Sequence, residues 1–271
     1  MTKGPVPASS SLLVNADDFG LHADINRGIL DCVERGRVQS ISFSPIGEST
    51  DWAKLLELVR HGVRVGLHVT LVGERWATDG RIVSGWRGLA KQLLVSGPVM
   101  QKAVESEIRR QFDLCADHGF DPILLSHLDS HQHVHLLGGV WQTCVRIAGD
   151  YSIPRIRVPW CPSLRDIKKS FGGLALQALA RQRRTGGAGF LACLGLAHAG
   201  HNTAETLSME LNHAARANRP PAELIVHPGV NTPGLQSRYA DWNFDWSRER
   251  DALLSNRFAE GVRASGYTFV R

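Results

Sequence analysis

Leu12-Leu13-Val14-Asn15-Ala16-Asp17-Asp18-Phe19-Gly20 is a short apolar run that ends in two adjacent carboxylates. An apolar strand that terminates in charge suggests a catalytic edge more than a core. Neighbouring carboxylates repel each other unless a cation or a shared proton relieves them. One aspartate before a helix is an ordinary N-cap, but two in a row exceed what capping needs. One of the pair can ligate a divalent cation while its neighbour points elsewhere and acts on a bound water. The complement to this stretch is Ser126-His127-Leu128-Asp129-Ser130-His131-Gln132-His133-Val134-His135. Four imidazoles and a carboxylate within nine residues are a metal-site signal. Together the two stretches point to metal-assisted hydrolysis.

Working outward, short β-rich runs alternate with longer helical patterns. The candidate strands are 11–15, 39–44, 63–69, 123–129, 155–159, 224–227 and 267–270; the candidate helices are 23–35, 52–60, 99–117, 134–148, 204–217 and 248–264. In the third helix Ala103, Val104, Ile108, Phe112 and Cys115 recur at helical spacing, and Gly119 suits a C-terminal cap. This alternation predicts an α/β fold with a mainly parallel sheet, open or closed into a barrel. Read to their C-terminal ends, the strands deposit Asp17, Asp18, Ser44, His68, His131, Arg157 and His227. In parallel α/β folds those ends share the face where ligands bind.

Each of these residues also has a structural reading. His68 alone would be a satisfied core histidine. Beside an Asp pair and a His cluster it becomes a candidate ligand, with Gly66 leaving room for close approach. Asp129, His131, His133 and His135 alternate and share a face if the segment is extended, whereas a helix starting near His131 would pair His131 with His135. Spacing leaves both open. Asp129 suits the task of orienting a ligating imidazole. His227, before Pro228-Gly229, suits a general acid, because histidine as a residue type exchanges protons near neutral pH. Arg157 is read as neutralising an acidic group or contacting substrate oxygens, and Arg155 as surface charge. Trp160, Trp242, Phe244 and Trp246 are read as sugar-stacking aromatics or as loop core.

The bulk properties exclude several classes. At 271 residues, with 43% hydrophobic and 21% charged residues, the chain fits one large soluble domain. Residues 1–10 read as a flexible tail without an apolar signal segment, and no run is long enough to span a bilayer. Five scattered cysteines without a CxxC pair fit reduced thiols, hence a cytoplasmic location. The net charge of +5 and the run Arg181-Gln182-Arg183-Arg184 are weak signs of a nucleic-acid role, and no recognised motif supports one, so no nucleic-acid partner is expected. An insertion at about 164–201 breaks the rhythm and joins that basic run to apolar residues 190–197. It reads as a packing element, a lid, a homodimer contact, or a basic–apolar surface making peripheral membrane contact.

Asn15-Ala16-Asp17-Asp18-Phe19-Gly20, Gly66-Leu67-His68, the 127–135 cluster and His227-Pro228-Gly229 together resemble the YdjC-like carbohydrate deacetylases, the group that includes chitooligosaccharide deacetylases. The resemblance spans nearly the whole chain. It implies a distorted TIM-like (β/α) barrel, here with about seven mainly parallel strands in a single domain over 11–271. It also implies one divalent metal ion, Mg2+ or Zn2+, held by Asp18, His68 and His131, with Asp17 as the base. Asp129, His133, Arg157 and Trp242 remain as residues behind the ligands or against substrate. The implied reaction removes an N-acetyl group from an amino sugar. Gly195-Leu196-Ala197-His198-Ala199-Gly200 and the insertion look like the family's hopanoid-biosynthesis branch, which acts on an N-acetylglucosaminyl lipid. His127-Leu128-Asp129-Ser130 looks more like the oligosaccharide branch. The competing readings are a metal phosphoesterase acting on a sugar phosphate, which usually wants a second metal and a phosphate cradle, and a non-catalytic carbohydrate-binding barrel, which does not need both aspartates.

Overall fold

Period-two alternation along the strands separates an apolar outer layer from a polar barrel interior. The computed structural model describes residues 10–161, 171–184, 191–217 and 221–270. In β1 (Ser10–Phe19), Leu12, Val14 and Ala16 join the main hydrophobic core, while Asn15 and Asp17 form hydrogen bonds on the opposite side. β2 (Ser40–Phe43) repeats this with Ile41 and Phe43 against Ser42, and β3 (Arg64–Val69) with Val65, Leu67 and Val69 against His68. In β4 (His127–Ser130) Leu128 joins the core, and His127 and Asp129 meet the polar network.

All recorded strand pairings are parallel, in the order β4-β3-β2-β1-β6-β5, with β5 spanning Ala192–Leu194 and β6 spanning Ala222–Val226. β7 (Tyr267–Phe269) pairs with the start of β1. The segment 155–160 bridges the gap between the two edges. Leu128 N–H donates to the Arg155 carbonyl and Arg157 N–H to the Leu128 carbonyl, both at 2.9 Å, while Cys193 N–H donates to the Trp160 carbonyl at 2.9 Å. The sheet therefore curls into a distorted barrel. Segment 155–159, expected as a strand, supplies only an isolated bridge, because Pro154 and Pro159 lack the N–H groups that a ladder needs.

The helices follow their apolar spacing. α1 (Ala23–Glu34) buries Ile25, Ile29 and Cys32, and Asp51 caps α2 (Trp52–Arg60) by accepting from the Lys54 amide. α3 (Gly85–Val95) was not anticipated. It leads through Ser96 into α4 (Gly97–Asp117), after which Gly119 adopts φ 75°. α5 (Gly138–Asp150) starts later than expected, because residues 131–136 form a kinked 3-10 turn. α6 (Phe171–Arg183) and β5 lie within residues 164–201, read above as an insertion; residues 162–170 and 185–190, and tail residues 1–9, fall outside the described residues. α7 (Ala204–Arg216) carries a capping box from Thr203 and Thr206, and the short α8 (Pro233–Arg238) precedes the last two helices. The expected single helix over 248–264 is two, α9 (Trp246–Leu254) and α10 (Asn256–Ala264). Ser255 leaves helical geometry at ψ 148° and caps the second one.

The insertion packs on the barrel. Ala180 joins Leu136 and Val158 in a small satellite core, with Leu176, Leu179, Trp141 and Trp160 around it. Arg184 lies 3.8 Å over the Trp160 ring and Arg183 5.7 Å over Trp141. The apolar run expected to touch lipid contains β5, whose three residues are buried. No helix among the described residues is long and apolar enough to cross a membrane.

Glu223, charged and buried inside the barrel on β6, accepts from Arg155 at 2.6 Å and from Arg157 at 3.0 Å. Burial alone would raise its pKa, but the two guanidinium groups hold it down at about 2 against an ordinary 4.5. The pairing therefore stabilises the fold fully above about pH 4.5, and this contribution is lost as pH falls towards 2. Glu223→Gln should cost about 3–5 kcal/mol at pH 7 by leaving buried charge unpaired. It should also flatten the acid limb of the stability curve. Urea unfolding across that pH range checks both effects, and an unchanged profile would show the pairing to be energetically idle.

Candidate active site

The adjacent aspartates both reach the same cavity because β1 is irregular where they sit. Its pairing with β2 slips between Ala16 and Phe19, and Asp18 takes φ 73°, in the left-handed region. A regular strand would send successive side chains to opposite faces; a bulge brings both to one side. Gln132 and His133, both at φ 53°, carry similar backbone strain across the site. Non-glycine residues adopt this region at a cost of roughly 1–2 kcal/mol each, and such strain clusters at functional sites.

Asp18 Oδ1 lies 3.0 Å from His131 Nδ1 and 3.3 Å from His68 Nε2. The three side chains are buried, and their ligand-type atoms all lie within 4.8 Å of one another. His68 Nδ1 contacts Asp129 Oδ1 at 2.8 Å, which orients the ring and leaves Nε2 towards Asp18. Burial alone would lower the His68 pKa, but the Asp129 and Asp18 carboxylates push it up to about 10. Burial opposes ionisation of Asp18 as well, and the flanking His131 and His68 hold it well below the carboxylate range. The same carboxylates that favour a proton on His68 would favour a cation. One carboxylate and two imidazoles suit a divalent ion with open positions. Asp17, His68 and Asp129 make a second such grouping, but Arg157 already neutralises both of those carboxylates, so the Asp18 grouping is the better cation site.

Arg157 is wholly buried. It donates to Asp17 through Nη1 at 2.7 Å and Nη2 at 2.9 Å, pairs with Asp129, and bonds Glu223 through Nε at 3.0 Å. Asp17 Oδ1 also accepts from Asn15 at 2.7 Å. Ser42 donates to Asp129 Oδ2 at 2.8 Å. Arg157 is thereby committed to protein carboxylates and is absent from the cavity lining. Arg155, expected as surface charge, is instead paired with buried Glu223.

The 127–135 cluster divides its histidines among different tasks, and neither a helix nor an extended strand describes it. Burial pushes His127 down to about 3, and its ring meets Ser42 and Ser126. The close approach expected at Gly66 is to this ring, which a Cβ there would strike. Burial likewise pushes His135 down to about 4, and it bonds Ser130 and the Arg157 carbonyl. His131 faces Asp18. His133 lines the cavity, with burial holding its pKa low and its Nδ1 unpartnered among the described residues.

The cavity encloses about 420 Å³. Asp17, Asp18, His68, His131 and His227 line its polar end. Trp242 stacks on His131 at 4.6 Å, and Phe244 meets His227 edge-on at 5.2 Å, whereas Trp246 is buried in the core. Leu176 and Leu179 of α6, with Val134, Leu137 and Leu196, form an apolar wall. No lysine or arginine is found among the described lining residues.

The family model for YdjC-like protein matches residues 11–264. The chain belongs to the YdjC-like family. It is 28% identical over 286 residues to a carbohydrate deacetylase from Danio rerio, covering 89% of each chain. It is 27% identical over 270 residues to a chitooligosaccharide deacetylase from Enterobacter sp. (strain 638), covering 94% of this chain and 95% of the relative. A solved structure from Enterococcus faecalis V583, provisionally named for cellobiose-phosphate cleavage, superposes with a TM-score of 0.66 at 20% identity. It covers 97% of this chain and 98% of its own, a likeness of fold.

Sequence reasoning missed Glu249, which accepts from the amides of Gly200 at 2.7 Å, Asn202 at 3.2 Å and His227 at 2.6 Å. It fixes the loop that carries His227. On the charged helix α9 it looks like any exposed glutamate, so no pattern singles it out. Glu223 had a signal, a lone charge within an apolar strand.

The geometry predicts one divalent ion per chain, lost in His68→Ala and in His131→Ala. Equilibrium dialysis with elemental analysis checks this; stoichiometric metal in both variants would remove the assignment. Because the ion displaces a proton from His68, its apparent affinity should rise with pH from 6 to 8, below the elevated value of about 10.

Proposed function

We propose that this protein is a metal-dependent amide hydrolase that removes the acetyl group from an N-acetylated amino sugar. The observation carrying this reading is the pairing of an Arg157-anchored Asp17 with the Asp18–His68–His131 group at one end of a cavity. The family membership and the names of its relatives support it.

A bound Mg2+ or Zn2+ would polarise the acetamide carbonyl and acidify water. Asp17 accepts the proton of the attacking water. Among the described residues its Oδ2 accepts a single hydrogen bond, from Arg157, so a lone pair remains for that task. The bidentate guanidinium fixes the carboxylate plane, which keeps the base aimed while it works. His227, in the cavity lining with its backbone pinned by Glu249, delivers a proton to the leaving amine. Trp242 offers a ring face beside His131 for the sugar.

The cavity lining bears on substrate. The apolar wall built partly by α6 favours a sugar carrying an apolar aglycone, an N-acetylglucosaminyl lipid, over a free oligosaccharide. The Asp17–Asp18 pair argues against a non-catalytic sugar-binding barrel.

Acetate release from N-acetylated chitooligosaccharides and from an N-acetylglucosaminyl lipid, with and without chelator, tests the reading. Turnover should be chelator-sensitive and faster on the lipid. Asp17→Asn should lower it about 10²-fold or more while metal stays bound. Near wild-type turnover in that variant would make Asp17 structural, and no acetate from either substrate would overturn the assignment.

A further inference from the structure

The hairpin between α3 and α4 ends in Leu94-Val95-Ser96-Gly97-Pro98-Val99. Leu94 is 87% exposed, Val95 77% and Val99 76%. Single exposed apolar side chains are ordinary, but three at one tip, with Pro98 also exposed, form a patch that none of the described residues covers. The charge around the tip is one-sided. Residues 85–104 contain Arg87, Lys91 and Lys102 and no aspartate or glutamate. Lys91 and Lys102 are exposed and have no carboxylate partner among the described residues. Elsewhere on the surface, cations are commonly neutralised, as in Lys54 with Glu57 and Arg146 with Glu105.

We propose that this tip docks the protein onto an anionic lipid bilayer, with Leu94, Val95 and Val99 entering the acyl boundary and Lys91 and Lys102 meeting headgroup charge. Apolar insertion flanked by bases is the chemistry of reversible interfacial binding. A second copy of the chain fits less well, since a two-fold contact would press base against base. The root of the same hairpin belongs to the cavity. Trp86 lines it, and the Trp86 amide donates to Gln132 at 2.9 Å. From Trp86 to Val95 the helix rises roughly 14 Å, so a tip held at a bilayer keeps this part of the cavity lining within about that distance. The Arg183 and Arg184 side chains stack on tryptophans, so the hairpin is a better lipid contact than the basic run of the insertion.

The proposal does not depend on the deacetylase reading, and its test uses no substrate. The full chain is floated with vesicles of phosphatidylcholine alone and of phosphatidylcholine with phosphatidylglycerol, at low and high salt. Binding should require the anionic lipid and weaken with salt. The triple variant Leu94→Ser, Val95→Ser, Val99→Ser and the double variant Lys91→Ala, Lys102→Ala should each lower the bound-to-free ratio about tenfold or more. Both should keep wild-type melting curves and metal content. No wild-type binding at low salt, or variants that bind like wild type, would overturn the proposal. A dimer abolished by the triple variant, without vesicle binding, would overturn it in favour of a second copy.

Discussion

Arg157 lies wholly inside the barrel, and its guanidinium meets Asp17, Asp129 and Glu223 at once. A buried charge is costly unless it is paired and its donors are satisfied. The three carboxylates supply that pairing, and their negative charge holds the Arg157 pKa well above its usual value against the opposing effect of burial. The rest of the site hangs on this contact. Asp17 is aimed by the fork, Asp129 is held where it orients His68, and Glu223 ties the bottom of the network to Arg155. Arg157 comes from the segment that bridges β4 and β5, so closure of the barrel and assembly of the site depend on the same few residues.

Charge balance explains why the candidate cation site stands apart from that network. Asp17 and Asp129 are neutralised by the guanidinium, whereas among the described residues Asp18 faces two imidazoles. The irregularity of β1 turns Asp18 to the same side as Asp17 without giving it the same partners. That difference in partners is what the proposed division of labour rests on, Asp18 towards an ion and Asp17 towards proton transfer. Neighbouring residues in a regular strand would not share a cavity in this way.

Much of this was legible in the chain. The Asp17-Asp18 pair, His68, His131 and His227 all line one cavity, as reading each strand to its C-terminal end implied. The parallel α/β architecture followed from strand–helix alternation. Less legible was how far polar residues continue down the barrel. Ser42, His127 and Glu223 carry period-two alternation, but their meaning depends on Arg157 lying among them. The Arg157 segment looked like a strand by composition, and its two prolines reduce it to a bridge. β5 is three residues long and carries no alternation, so it dissolved into the insertion. Glu249 on α9 cannot be distinguished from a solvated charge by sequence, since only tertiary contact with three loop amides gives it a task.

The central claim is that one planar, forked cation organises both the base and the orienting carboxylate. Lysine at this position keeps the charge but loses the fork, and a point charge cannot satisfy Asp17, Asp129 and Glu223 together. The direct measurement is steady-state acetate release by Arg157→Lys at saturating metal, on protein whose circular dichroism matches wild type. The account predicts a fall in kcat of about 10²-fold or more. Turnover at the wild-type rate would contradict it, because the fork would then be incidental to the chemistry.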